Sequence, residues 1–268
     1  MKVLWNKSIG VTDLWIPECY GLFCKQEKKV TYFFMHGSAL LAVSEEDSEP
    51  RLIHYSDDLP LPNEWCVVET TTDAYLLVSA DSGVNLNSNE FTCDIPSHIQ
   101  REYSHHFRPE KYYVEAPQCL GEYTVLHKGN WGYVCQKESS KLWEFTGRAY
   151  LYTDFVLWKD RLFFGTGGQG GYFYLLDIHS GKPLAAINTG GTRCIVHEDN
   201  LCYFLANDKR ARFFCVDLND GKTVSQCDLP GKANLDSRVT KIGDRIHVIT
   251  FTPPQSKSEG FIWSCIEI

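Results

Sequence analysis

Two stretches near the middle of the chain repeat one pattern, and the distance between them limits what the chain can fold into. Lys159 to Leu184 reads KDRLFFGTGGQGGYFYLLDIHSGKPL, and Glu198 to Val224 reads EDNLCYFLANDKRARFFCVDLNDGKTV. Each copy has an acidic turn, a β-run, a polar hairpin, a second β-run ending in Asp, then x-x-Gly-Lys and an apolar pair. Asp177 and Asp217 are 40 residues apart, and Asp160 and Asp199 are 39 apart. A period near forty with several short strands per unit is the signature of a propeller blade.

The period extends in both directions. Glu122 lies 38 residues before Asp160. The intervening blade reads Tyr112 to Ala116 as inner strand, Tyr123 to Leu126, Gly132 to Gln136, and Lys141 to Phe145 as outer strand. Earlier, Gly21 to Cys24, Val30 to Met35, Ala39 to Val43 and Arg51 to Tyr55 make one blade. Trp65 to Glu69 and Ala74 to Val78 begin another, in which Ser82-Gly83-Val84-Asn85-Leu86 aligns with Ser180-Gly181-Lys182-Pro183-Leu184. Asn87 to Lys111 departs from the pattern and reads as an irregular insertion with a short helix. At the far end Arg238 to Ile242, Ile246 to Phe251 and Phe261 to Ile268 supply three strands of a blade. Met1 to Trp5 resembles the missing outer strand. Outer strands at Leu4, Leu52, Leu86, Leu142, Leu184 and Val224 give six blades; seven would follow if 87–111 held a decayed one. The expected fold is all-β: residues 1–268 form a single β-propeller of four-stranded antiparallel blades, closed by the N-terminal strand joining the C-terminal blade. Such closure removes open strand edges.

Composition narrows the partner. The chain of 268 residues is 43% hydrophobic with formal charge −8, enough for a substantial core. The negative balance argues against a nucleic-acid surface and an anionic membrane face, and is compatible with a basic protein. There is no run of 18 apolar residues and no leader-like N-terminus. Eleven cysteines at scattered spacings, most inside apolar β-runs, read as reduced core residues of a cytoplasmic protein.

The unit Asp160-Arg161-Leu162, Gly165, Gly171, Leu176-Asp177, Ser180-Gly181-Lys182-Pro183-Leu184, with Leu142-Trp143 ending the preceding blade, resembles the repeat of pyrroloquinoline-quinone-type β-propellers. The resemblance covers Tyr112 to Ile268 well and the first hundred residues loosely. It implies the propeller fold, in a family that holds quinoprotein dehydrogenases, outer-membrane assembly scaffolds and non-catalytic modules. The repeat residues read as structural. Gly171, Gly181 and Gly221 supply positive φ in hairpins, and Asp177 and Asp217 bind amides of the following turn.

Enzyme classes find little support. The dehydrogenases of that family need export, a longer chain and calcium, and many use adjacent cysteines that this chain lacks. The glycine run Gly165 to Gly171 precedes a β-run rather than a helix, so it is a hairpin and not a phosphate cradle; its second copy, Ala206 to Ala211, has no glycine. No G-x-S-x-G occurs. His98, His105 and His106 lack a supporting Cys or carboxylate cluster for a metal. A carboxylate pair in the channel, giving a carbohydrate-active enzyme or lyase, remains an alternative. No catalytic, cofactor or metal residue is assigned. The reading is a protein-binding propeller, and its sharpest form is an immunity-type protein that caps a basic toxin such as a nuclease. A scaffold in a larger complex is the alternative. A monomer or a 1:1 heterocomplex is expected. The loops between second and third strands and between blades should share one face, carrying Asp57, Asp58, Tyr103, His105, His106, Trp131, Gln169, Arg193, Asp208 and Arg210.

Overall fold

The middle strands of the repeats are largely apolar on both faces, as in the fourth and fifth blades, where alternate residues enter different cores. A computed structural model describes residues 1–10, 21–26, 29–59, 65–70, 72–79, 81–103, 117–129, 131–167, 170–207, 209–233, 237–252 and 260–268. Six antiparallel sheets are present. The first blade is β2 (Gly21–Gln26), β3 (Lys29–His36), β4 (Ala39–Ser44) and β5 (Arg51–Tyr55). The second is β6 (Cys66–Glu69), β7 (Ala74–Leu77), β8 (Gly83–Asn85) and β9 (Glu90–Thr92). The third is β10 (Gln118–Leu120), β11 (Tyr123–Lys128), β12 (Gly132–Lys137) and β13 (Ser140–Thr146). The fourth has its inner edge in two pieces, β14 (Tyr150–Leu151) and β15 (Val156–Trp158), both paired to β16 (Arg161–Gly167), followed by β17 (Gly171–Asp177) and β18 (Pro183–Gly190). The fifth is β19 (Thr192–Glu198), β20 (Leu201–Asn207), β21 (Ala211–Asp217) and β22 (Thr223–Asp228). The sixth is β23 (Val239–Ile242), β24 (Arg245–Phe251) and β25 (Gly260–Glu267), with β1 (Lys2–Gly10) as its outer strand. Six blades and the N-terminal strand in the last one are as the repeat predicts. Among the described residues one helix, α1 (Ser97–Tyr103), follows β9.

By compactness the chain divides into two units, one of residues Met1–Asn6, Lys111–Pro253 and Ser264–Ile268, the other of Lys7–Glu110 and Pro254–Trp263. In the first unit the period of two along a strand sorts side chains between two cores. Cys202, Phe204 and Ala206 join Phe163, Phe173 and Leu175 in the layer between the fourth and fifth blades. The alternate residues Tyr203 and Leu205 join Phe213, Ile246 and Val248 between the fifth and sixth. Phe173 and Phe204 stack at 4.3 Å. In the second unit Phe33, Met35 and Leu40 pack against Leu76, Val78 and Val84, and Phe23 and Tyr32 against Trp263 and Phe261. Ile95 and Ile99 cover Val68, Tyr75 and Leu77 on the second blade, which explains the short helix: it hides a β-face.

The end of each blade that carries the acidic turn is a repeated frame. The first turn residue is left-handed in four blades: Gly121, Lys159, Asp199 and Gly243, with φ of 63°, 50°, 48° and 62°. The Ile178 amide donates to the Asp160 carbonyl at 3.0 Å, and the Leu218 amide to Asn200 at 2.7 Å. Asp177 accepts from the Ser180 amide and hydroxyl, both at 2.8 Å, and Asp217 from the Asn219 amide at 2.8 Å. These bonds hold both carboxyls below the usual carboxylate range. The structural role expected of the two aspartates is therefore present. Where Lys or Asp occupies a left-handed position, the backbone carries strain that glycine lacks. Asp199→Gly is expected to stabilise the protein by about 1 kcal/mol, read as a higher urea midpoint with unchanged slope.

Three expectations are corrected. The outer strand of the second blade is Glu90–Thr92, not the stretch at Leu86. Leu86 is buried in the core, whereas Leu52, Leu142, Leu184 and Val224 are exposed on true outer strands. The irregular segment thus loses its first residues to a regular strand. The described inner strand of the third blade is Gln118–Leu120, and the expected one at 112–116 lies outside the described residues. Gly171 is not left-handed; Gly170 is, with φ 78°. A Cβ on Gly171 would meet the Thr166 carbonyl oxygen at 2.3 Å, so close backbone approach is what it serves.

In the sixth blade His247 is 1% exposed and its ring faces Trp5 at 6.4 Å. Burial, with Arg245 nearby, pulls its pKa from 6.5 down to about 4. The neutral ring is the folded form, so the unfolded chain binds the extra proton between these values. Stability is complete above pH 6.5 and falls as pH drops toward 4, by up to about 3 kcal/mol. Urea unfolding at pH 7, 6, 5 and 4.5 should show this loss, and His247→Phe should flatten it.

Candidate binding face

Hairpin order alone puts the loop between second and third strands beside the link that leaves the outer strand, and hydrogen bonds show this in the first, third and fifth blades. In the first blade the Ser56 amide donates to the Ser38 carbonyl at 2.9 Å and the Ser38 hydroxyl to Asp57. In the third, the Gly147 amide donates to the Trp131 carbonyl at 2.9 Å. In the fifth, the Ala211 amide donates to Gly231 and the Leu229 amide to Ala211.

The nominated residues fall in two groups. Asp57 and Asp58 are exposed in the second unit, and Tyr103 is the last residue of α1. His105 and His106 lie outside the described residues, as do Gln169 and Asp208. In the first unit Trp131 is 47% exposed on its hairpin. Arg210 is exposed and ion-paired to Asp228 at 3.0 Å, with Arg212 on the other oxygen at 2.8 Å. Arg193 sits within β19, paired with Leu205, and not in a loop. Its place near the strand start still puts it toward the same blade end.

Three residues escaped the sequence reading. Arg148, in the link after the third blade, is exposed. Its amide donates to the Tyr174 hydroxyl at 3.0 Å and its guanidinium to the Tyr172 hydroxyl at 3.4 Å. That guanidinium lies 5.7 Å from the Tyr172 ring centre, which stacks on Tyr174. Tyr150, two residues on, is 56% exposed. Gly147 and Ala149 flank Arg148 as small buried residues, which is the only local sign in sequence that this link is pinned.

Charge is divided unevenly. The second unit holds 18 Asp and Glu against 8 Lys and Arg, a formal charge of −10, and the first unit 16 against 18, a charge of +2. Every ion pair among the described residues is in the first unit, for example Glu122 with Lys137 and Glu198 with Lys241. Glu144, gripped by Lys128 and Lys141, is pulled down to about 2. The described acidic residues of the second unit thus form no ion pair. Its Glu46, Asp47 and Glu49 border an open polar groove of about 600 Å³ together with Lys29, Arg51 and Asn89. Glu45 and Asp47 are tied to the Val30 and Ser44 amides.

Chemistry has little to work with among the described residues. Burial pushes the thiol of Cys135 up to about 11 and those of Cys24 and Cys202 further, so they pack rather than react. Among the described residues no group of three or more His, Cys, Asp or Glu is placed to hold a metal ion. Among the described residues no helix is long and apolar enough to cross a membrane.

No protein-family model and no curated protein matches the chain. Solved structures with similar backbones include the computationally designed protein Ika8, at 7% identity and TM-score 0.44, covering 98% of this chain and all of that one. The WD40 β-propeller domain of Doa1 aligns at 8% identity and TM-score 0.41 over 93% of this chain and 78% of its own. BamB from Moraxella catarrhalis aligns at 9% identity and TM-score 0.37 over 98% and 97%.

Proposed function

We propose that this chain is a non-catalytic, protein-binding β-propeller of the pyrroloquinoline-quinone-type branch, acting as one domain in the cytoplasm, and that its partner is a basic protein. The observation that carries the reading is the −10 charge of the second unit with no ion pair among its described residues. An uncompensated field of this sign accelerates encounter with a positive surface and discriminates against negative ones. An immunity-type role, capping a secreted nuclease in a 1:1 complex, is the sharpest form of the proposal. A scaffold role in a larger assembly is the second.

The test is affinity capture of the full chain at low salt, followed by mass measurement of what elutes. One small basic protein, released by 0.5 M salt, is expected, since exposed charge contacts are screened at that ionic strength. The quadruple variant Glu46→Lys, Glu49→Lys, Asp57→Lys, Asp58→Lys should slow association at least tenfold. Capture of acidic partners only, or a variant that binds as fast as the parent, sinks the reading.

A further inference from the structure

The first unit carries a second surface of opposite character, and we infer that it binds an acidic protein segment through Arg148. This does not depend on the basic partner of the second unit. Four residues fall in this region. Trp131 and Tyr150 are roughly half exposed, and Arg148 lies against the half-buried Tyr172. They come from one neighbourhood: Gly147 bonds the Trp131 carbonyl, and Arg148, the next residue, touches Tyr172 and Tyr174.

The state of Arg148 identifies the occupant. Its backbone is fixed by the buried Tyr174 hydroxyl, and its guanidinium rests on an aromatic face that is itself stacked. No carboxylate lies within ion-pair distance of it among the described residues, although this unit pairs Arg161, Arg210, Arg212 and several lysines. A pre-oriented guanidinium fork on an aromatic ring is suited to bidentate capture of a carboxylate. Trp, Tyr and Arg together are also the residue types that dominate protein interfaces.

Nucleic acid offers the same anionic chemistry, but the surface does not suit it. A nucleic-acid strand requires a track of several free cations. Here Arg210 and Arg212 are both spent on Asp228, and among the described side chains the exposed cations of that end outside ion pairs are Arg148, Lys209 and Lys232, scattered rather than set in a track. A single carboxylate flanked by apolar or aromatic residues fits better than a run of phosphates.

The probe is a synthetic peptide, acetyl-Gly-Phe-Glu-Phe-Glu-Gly-amide, titrated into the full chain and followed by the arginine Nε–H and tryptophan Nε1–H resonances. Saturable shifts at Arg148 and Trp131 are expected. Arg148→Ala should weaken binding at least tenfold and Arg148→Lys several-fold, because lysine keeps the charge but loses the fork. Arg148 is exposed, and unchanged melting temperatures would show the variants folded. Equal binding of the peptide by Arg148→Ala, or equal affinity for the peptide with Lys in place of Glu, would overturn the inference. So would tighter binding of a single-stranded oligonucleotide at the same two resonances.

Discussion

Trp143→Ala should lower the melting temperature by about 12 °C, corresponding to a loss of about 4 kcal/mol. Trp143 stands on the outer strand of the third blade yet is only 6% exposed, because it reaches into the turn of the fourth. Its indole N–H donates to the Ile178 carbonyl at 2.6 Å, and its ring lies under Gly181, where an added Cβ would come within 2.6 Å. The variant removes a large buried side chain and leaves the carbonyl without this donor; both effects act in one direction. Trp143→Phe keeps most of the ring and should cost about 2 kcal/mol. Gly181→Ala tests the other half: at φ 68° the new methyl meets the indole, so a loss of at least about 2 kcal/mol is expected. In the double variant the clash is gone, and the combined loss should fall well short of the sum. Additive losses would show that the two residues do not act as one joint.

The same joint explains what the repeat does and does not announce. In the next blade Gly221 is left-handed too, with φ 73°, but an added Cβ there meets the Ala185 methyl at 2.7 Å. The glycine is forced by the turn, while its partner varies from Trp to Ala. Period and turn chemistry were therefore legible, since Asp-x-x-Gly-Lys is a local device that closes on its own backbone. The second blade shows the limit. Its Ser82-Gly83 resembles Ser180-Gly181, but the serine closes the tight turn after β7, bonding through Val78 and Ser79 to the Ser82 carbonyl. The strand that follows is consequently the third and not the fourth. A dipeptide match cannot distinguish the two, because both turns need a small, flexible pair; burial of Leu86 decides it.

The proposed binding surface was half legible for a related reason. Trp131 stands out as an aromatic residue in a polar hairpin. Arg148 does not, because nothing in its own segment shows that Tyr172 and Tyr174, more than twenty residues later, will present hydroxyls to it. Net charge misled in a similar way. A value of −8 for the whole chain conceals −10 in one unit and +2 in the other, and that division follows from which strands share a core, not from any run of sequence.

Removing residues 1–6 should cost more than any single substitution, with the melting temperature falling by at least about 15 °C or the protein failing to fold. Met1 and Val3 pack on the core between the fifth and sixth blades. The Asn6 side-chain oxygen accepts from the Ser264 hydroxyl at 2.7 Å, and Trp5 faces the buried His247. Without this strand the edge of β25 would be open along residues that are now fully buried, including Cys265 and Ile266. An exposed apolar edge of that kind pairs with other chains, so concentration-dependent aggregation should accompany the loss. Destabilisation alone does not show that β1 acts as the fourth strand of a meander, because losing any buried segment is costly. A circular permutant separates the two. Asn6 meets Ser264, and Gly260 approaches the Ile9 carbonyl, so β1 and β25 run antiparallel with Met1 near Ile268. Joining Ile268 to Met1 and opening the chain between Leu14 and Trp15 makes the sixth blade a continuous four-stranded meander like the other five. That permutant is expected to melt within a few degrees of the parent and to regain full cooperativity. A permutant that melts as low as the truncation would mean that β1 is held by something other than its place beside β25.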